Sequence, residues 1–299
     1  MTDPLRDPPG ERSVEALRSF GVVNLDKPAG PSAHQVAAWV RDLAGVERAA
    51  HAGTLDPKVT GCLPTMLGDA TRLAPVFLEG TKEYIAVLEL HGLPPTDAEA
   101  TLSAFETEIY QKPPRKSAVA RRLRSREIHE LDLLELDDRQ ALLRIRCESG
   151  TYIRKLCHDL GLALGTGGHM GALRRVATDP FDDTDLRTLQ DLADGLAWAR
   201  EDDHEAFLRE VISPAERAME HLPAITIARS AAREVAEGAP VYAPGVIDLD
   251  DAAAAALDPG DDDLFACYTP DGSAVCLGKL VGDPDAESGE VVSLERVLV

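Results

Sequence analysis

His51-Ala52-Gly53-Thr54-Leu55-Asp56-Pro57-Lys58-Val59-Thr60-Gly61 is the stretch on which the reading of this chain turns. Two glycines and a proline within eleven residues describe a tightly turned loop of fixed shape, and one carboxylate, Asp56, sits at its centre. Taken alone, an Asp-Pro in a loop is a turn residue: Asp bonds its neighbouring backbone and Pro presets φ. Whether this carboxylate does chemistry depends on what stands elsewhere in the chain.

On the N-terminal side, residues 21–25 (GVVNL) are apolar enough for a short strand, and Asp26-Lys27-Pro28-Ala29-Gly30-Pro31 is a rigid turn sequence. Ser32 then occupies an N-cap position, and Val36, Val40 and Leu43 recur at helical spacing. On the C-terminal side, residues 82–91 (KEYIAVLELH) are rich in β-formers and closed by Gly92. Residues 142–147 (LLRIRC) read as a third strand. Glu148-Ser149-Gly150 follows, and then a helix with the apolar face Ile153, Leu156, Cys157, Leu160 and Leu164. Beyond a linker at residues 213–222 the texture changes. Short strands at residues 224–227, 264–269, 274–281 and 291–299 alternate with Gly, Pro and Asp clusters, and Asp271-Gly272 predicts a type I′ hairpin. This texture suggests a small β-barrel-like appendage.

The loop of residues 51–61, Lys82-Glu83-Tyr84, and Gly150-Thr151-Tyr152-Ile153-Arg154 together resemble the TruB family of RNA pseudouridine synthases. Leu25-Asp26-Lys27-Pro28 and Gln111-Lys112-Pro113-Pro114 add to the match. The loop form LDPKVTG, the run Cys157-His158-Asp159-Leu160-Gly161, and Gly168-His169-Met170 leading to Leu173-Arg174-Arg175 resemble the dyskerin branch. Those archaeal and eukaryotic relatives work in box H/ACA ribonucleoprotein particles. Residues 225–246 resemble the start of a PUA domain, an RNA-binding barrel, so the resemblance spans about residues 20–299. Ser32-Ala33-His34 departs from the Thr-Ser-His common among relatives, a change that leaves Asp56, Tyr84 and Arg154 untouched.

The resemblance implies an α+β fold. A pseudouridine synthase catalytic domain over residues 1–221 would carry a mixed, largely antiparallel sheet with flanking helices. A small PUA β-barrel-like domain would occupy residues 222–299, with residues 1–19 as a polar lead-in that packs against it. The implied activity is isomerisation of uridine to pseudouridine in tRNA, at the T-loop uridine, and in rRNA guided by box H/ACA RNA. Small H/ACA core proteins would be partners, no cofactor is needed, and no metal is expected.

The reaction must break the N1–C1′ bond, rotate the uracil and join C5 to C1′. By resemblance, Asp56 supplies the negative group beside ring and sugar. A carboxylate closed off from water needs a cation to stay ionised, and Arg154 is the family's partner for it; its planar fork suits this better than Lys. Tyr84 matches the aromatic stacked on the target base, Tyr152 and Leu173 match pocket-lining positions, and His51 matches a contact to the flipped region. Aromatic and apolar walls offset the few kcal/mol lost when a base leaves its stack. Read without the resemblance, Tyr84 is core, Arg154 is an exposed helix residue and His51 is a loop hydrogen-bonder. Lys27 and Pro28 shape the neighbouring turn. Cys157-His158 is no nucleophile pair, since neighbours on a helix point about 100° apart.

Composition sets the remaining bounds. The formal charge is −21, with 52 acidic residues against 31 basic ones. Only seven of the basic residues are lysine, which with the Asp-rich surface reads as adaptation to strong salt, where long-range repulsion is screened. Against that background Lys112, Arg115, Lys116, Arg121, Arg122, Arg124 and Arg126 form a basic run without an acidic residue, a candidate RNA-binding patch that Arg154, Lys155, Arg174 and Arg175 would extend. The five scattered cysteines without a CxxC pair point to reduced, buried thiols. No apolar stretch approaches membrane-span length and no secretory leader is visible, so cytoplasmic residence is the expectation. Two competing functions remain. One is a non-catalytic RNA-binding scaffold of a ribonucleoprotein particle, against which the intact Asp56, Tyr84 and Arg154 argue. The other is a glycosidase, which would need a second acid near Asp56 that the loop does not offer.

Overall fold

The computed structural model describes residues 3–113, 120, 122–201, 204–255 and 263–299. Among them ten strands form one mixed sheet: β1 (Phe20–Lys27), β2 (Ala49–His51), β3 (Thr60–Gly68), β4 (Lys82–Leu90), β5 (Glu108–Gln111), β6 (Arg124–Asp137), β7 (Gln140–Cys147), β8 (Gly168–Thr178), β9 (Phe181–Asp182) and β10 (Ser213–Pro214). The order is β10-β1-β3-β8-β4-β7-β6-β5, with β2 on β3 and β9 on β8. The β3–β8 pairing is parallel, and the other pairings within this sheet are antiparallel. The expected α+β, largely antiparallel architecture is what the chain adopts.

Period-two patterning explains the strands at its centre. In β4, Lys82, Tyr84, Ala86, Leu88 and Leu90 are buried in strict alternation. In β1 and β3 both faces are buried, and they serve two cores. Val23, Leu25, Leu63 and Leu67 join the core beneath the helices. Phe20, Val22, Cys62 and Met66 join a second core that also takes Ala266, Ala274, Leu277 and Leu298 from the C-terminal end of the chain.

Two helices carry the expected faces. Ala33–Ala44 starts at Ser32 with a full capping box closed by Gln35 and stops at Gly45, which is left-handed at φ 64°. Val36 and Val40 are buried with Ala33, Ala37 and Ala44, while Leu43, expected on the same face, is exposed. The helix Ile153–Ala163 buries Ile153, Leu156, Cys157 and Leu160 against the sheet. No helix among the described residues is long and apolar enough to cross a membrane. All five cysteines are buried and unpaired by disulfide.

A second, six-stranded sheet follows: β11 (Ala224–Ile227), β12 (Val241–Tyr242), β13 (Val246–Leu249), β14 (Leu264–Tyr268), β15 (Ala274–Leu280) and β16 (Glu290–Val297), in the order β12-β16-β15-β14-β11-β13. The β14–β15 hairpin is present, but its turn is not the type I′ expected from Asp271-Gly272. Pro270 fixes a negative φ, so the turn sets one residue earlier. Gly272 N–H donates to Thr269 C=O (2.9 Å), and Gly272 alone takes a positive φ, 81°.

The expected linker at residues 213–222 is also corrected. Ser213–Pro214 pairs with β1 as an edge strand, and Ala215, Ala218 and Met219 are buried in the second core. Beside them Glu216 forms a buried two-bonded ion pair with Arg12, at 2.7 and 2.6 Å, and accepts from Ala274 N–H (3.1 Å). Arg6 donates to Leu298 C=O (2.9 Å), and Ser273 Oγ donates to the carbonyls of Arg6 and Asp7. Residues 3–12 therefore form a strap stitched to both sheets. Breaking one partner of such a buried pair costs about 3–5 kcal/mol.

Lys82, at the start of β4, is buried with its ammonium donating to the carbonyls of Phe77 (3.1 Å) and Gly80 (2.9 Å). Burial, with Arg175 adding to it, pulls its pKa from 10.5 to about 7. Between those values the unfolded chain binds more protons than the folded one. The penalty for the buried ammonium is therefore full below pH 7 and lifts as pH rises to 10.5. The difference in unfolding free energy between wild type and Lys82→Met should shift in favour of wild type across that window. A pH-independent difference in denaturant titrations would count against it.

Candidate active site

The central loop is held from three sides. Gly53 and Gly61 take φ values of +95° and +100°, and a Cβ on Gly61 would run into the carbonyl of Arg175. Leu55 and Val59 are buried in the main core and anchor the loop like two pegs. Between them Asp56 leaves 50% of its side chain exposed. Beneath the loop lies Lys27, fully buried at the end of β1, where a turn residue was expected. Its ammonium donates to the carbonyls of Pro28 (2.9 Å), Pro57 (3.1 Å) and Val59 (2.8 Å), and Gly30 N–H donates to Pro57 C=O (2.8 Å). Burial lowers the Lys27 pKa.

Lys27→Met would strand the carbonyls of Pro28 and Val59 and leave Pro57 C=O to Gly30 N–H alone. At about 1–3 kcal/mol for each group left unsatisfied, the expected loss of unfolding free energy is roughly 3 kcal/mol, since water reaches part of the loop. Turnover should fall more than RNA affinity does. Equilibrium denaturation beside single-turnover kinetics reads both, and a variant as stable and as fast as wild type would remove Lys27 from this role.

Arg154 stands in the first turn of the helix Ile153–Ala163 and forms a direct ion pair with Asp56, with 52% of its own side chain exposed. That helix start has no side-chain cap of its own. The buried side chain of Gln111 clasps it instead: Tyr152 N–H donates to Gln111 Oε1 (2.8 Å), and Gln111 Nε2 donates to Tyr152 C=O (3.2 Å). Tyr152 itself is half-buried.

Tyr84 is buried on β4 between Ile145 of β7 and Arg175 of β8. The positive charge of the neighbouring Arg175 guanidinium acts on its phenol. Burial pushes the phenol pKa up and Arg175 opposes the shift, so the hydroxyl stays protonated at neutral pH. Leu173, half-buried, lies opposite Ala86 and shares a strand face with Arg175. His51 closes β2. Its ring meets His34 edge-on at 4.7 Å, and its Nδ1 is buried without a hydrogen-bond partner. Burial first, then His34 and Arg175, lower its pKa to about 4, so it is an uncharged ring near neutrality.

Of the basic run, Arg124 and Arg126 lie at the start of β6, paired with β5. Lys112 and Arg122 are exposed and Arg124 is half-buried, near the exposed Tyr110 and Leu123. Arg126 is paired with Glu148 at 3.0 Å. Arg115, Lys116 and Arg121 lie outside the described residues. The proposed extension fails at Arg175: strand alternation turns it inward, where 1% of it is exposed. Lys155 pairs with Asp159, and Arg174 holds Asp26 through two bonds of 3.0 and 3.2 Å. Sequence reasoning missed Lys27 as the loop's anchor, Gln111 as the helix clasp, and Arg175. The signal for the first two was a polar side chain inside a recognised motif next to strand-forming residues.

Residues 41–97 match the TruB family pseudouridylate synthase N-terminal domain, residues 154–220 the tRNA pseudouridylate synthase B C-terminal domain, and residues 6–37 the DKCLD (NUC011) domain. A Halobacterium salinarum protein named probable tRNA pseudouridine synthase B is 68% identical over 302 residues, covering 99% of each chain. The crystal structure of a Cbf5-Nop10-Gar1 complex aligns at 42% identity and a TM-score of 0.91, over 99% of this chain and 90% of that one. The structure of an H/ACA RNP bound to a substrate RNA containing 2′-deoxyuridine aligns at 39% identity and a TM-score of 0.89, over 100% of this chain and 91% of that one. Fold and matches together define a pseudouridine synthase, an isomerase of uridine. The chain belongs to the TruB family, in its archaeal dyskerin-type branch. Its acidic, lysine-poor surface is that of a halophilic protein, in keeping with the Halobacterium relative.

Proposed function

We propose that Asp56 is the anionic group of the isomerisation and that Arg154 keeps it charged and aimed while the base is extruded. The observation that carries this reading is the direct ion pair between them, on a loop anchored by Lys27, Leu55 and Val59. Tyr84 stacks on the uracil as a neutral phenol, Leu173 and Tyr152 line the pocket, and His51 contacts the RNA beside the flipped base. Burial of Tyr84 and the uncharged state of His51 suit an apolar slot for a nucleobase. During turnover the N1–C1′ bond breaks, C5 joins C1′, the C5 proton leaves and N1 gains one.

In this reading residues 1–221 are the catalytic domain and residues 222–299 a PUA domain that grips RNA. Lys112, Arg115, Lys116, Arg121, Arg122, Arg124 and Arg126 are assigned to contact with RNA. The substrates are the T-loop uridine of tRNA and, with a box H/ACA guide RNA and small H/ACA core proteins, uridines of rRNA, in the cytoplasm. The assemblies named for the aligned structures support this assignment. RNA tritiated at C5 of uridine tests it. Label should be released from tRNA by the chain alone, and from an rRNA fragment when guide and small proteins are added. No release from either RNA under both conditions, in high salt, would overturn it.

A further inference from the structure

Arg175 sits where the two halves of the site meet. Along β8 it is the register partner of Tyr84 in β4 on one side and of Gly61, at the exit of the catalytic loop, on the other. Its side chain repeats that bridge. Nε donates to Cys62 C=O (2.7 Å) and Nη2 to Gly53 C=O (3.4 Å), three residues before Asp56. Its positive charge also acts on the phenol of Tyr84, its neighbour across the two strands. Gly53 runs close over the guanidinium: a Cβ there would lie 3.5 Å from Nη1, on a backbone already at φ +95°.

Among the described residues its hydrogen-bond partners are carbonyls, with no carboxylate in ion-pair contact. A guanidinium buried in that way is a costly group, whereas Met or Leu would fill the space cheaply. What only the planar fork supplies is several directional bonds radiating from one rigid centre. At 1% exposure it cannot touch substrate in this arrangement. We infer that Arg175 is a positioning residue that fixes the distance between the Asp56 loop and the ring of Tyr84, by bonding to the loop while packed beside Tyr84 across β8 and β4. Two elements far apart in sequence thus hold the reacting centre between them as one rigid frame. The inference rests on the reading of Asp56 and Tyr84 given above.

The test is a double-variant cycle of Arg175→Lys and Arg175→Met, each with and without Tyr84→Phe. The readouts are RNA affinity, thermal unfolding and single-turnover release of label from the C5-tritiated RNA that the wild-type chain turns over best. Arg175→Met should slow release about 100-fold and Arg175→Lys about 10-fold, because misplacement of reacting groups by about 1 Å costs on that order. RNA affinity should stay within about threefold of wild type, which separates positioning from binding. Adding Tyr84→Phe should slow either Arg175 variant by no more than about twofold beyond the slower single change, because neighbouring side chains that act through one contact are coupled and their losses do not multiply. A folded Arg175→Met chain at the wild-type rate, or losses that multiply in full, would overturn the inference. If the Met chain does not fold, the Lys pair decides by the same two criteria. If Asp56→Asn still turns over, the reading of the site fails; if Asp56→Asn is inert while Arg175 variants run at full speed, only the role of Arg175 falls.

Discussion

Asp56→Asn should reduce tritium release by about 10⁴-fold or more, to the background of the assay, while RNA affinity changes by no more than about threefold. The substitution keeps size and shape but removes the negative charge, and an amide neither attacks carbon nor balances positive charge at C1′. The loop itself should survive. Its anchors are Leu55, Val59 and the Lys27 bonds to the Pro57 and Val59 carbonyls, none of which uses the Asp56 side chain. The half-exposed carboxylate contributes little to stability, because a pair so accessible to water is worth no more than about 1 kcal/mol. Near-wild-type melting with intact binding and no turnover is therefore the signature. Turnover within tenfold of wild type would move the chemistry to another residue.

The second large effect is at Arg154. Arg154→Met should cost about 10³-fold in single-turnover rate and Arg154→Lys about 10²-fold, the range seen when one preorganised charge-stabilising donor is lost. Lys retains the charge but presents it as a point, so the carboxylate is no longer held in one plane. Because the Arg154 side chain projects from the first turn of a helix clasped by Gln111, a shorter or differently shaped head cannot be compensated by sliding the backbone. If both variants lose the same amount, the fork geometry is irrelevant and charge alone matters. If neither loses activity, the ion pair is a resting contact without a part in the reaction.

Much of this was legible in the sequence because its cause was local. Ser32 with Gln35, the alternation of residues 82–90 and the apolar stripe from Ile153 to Leu160 are short-range patterns, and each became the expected element. The ion pair of Asp56 and Arg154 was reached through family resemblance; spacing could not have found partners 98 residues apart. What stayed hidden had distant causes. Arg174 and Arg175 look alike as a basic pair, yet strand alternation sends one to Asp26 and the other inside. Lys27 reads as a turn residue until the carbonyls of Pro57 and Val59 are seen to converge on it. Residues 213–219 resemble a linker because Met219 is their one large apolar residue beside two alanines, and their partners lie in β1 and β15. Pro270 stands beside Asp271-Gly272, and its fixed φ moves the turn one residue earlier.

The strap has a consequence for the order in which the molecule is made. Arg12 leaves the ribosome about two hundred residues ahead of Glu216, and Arg6 waits for a carbonyl 292 positions away. Chains emerge at about 5–20 residues per second, so the first residues to appear are among the last to be seated. The strap therefore finds its partners only once Glu216, Ser273 and Leu298 have been made, and freeing it on either side loosens the same seam.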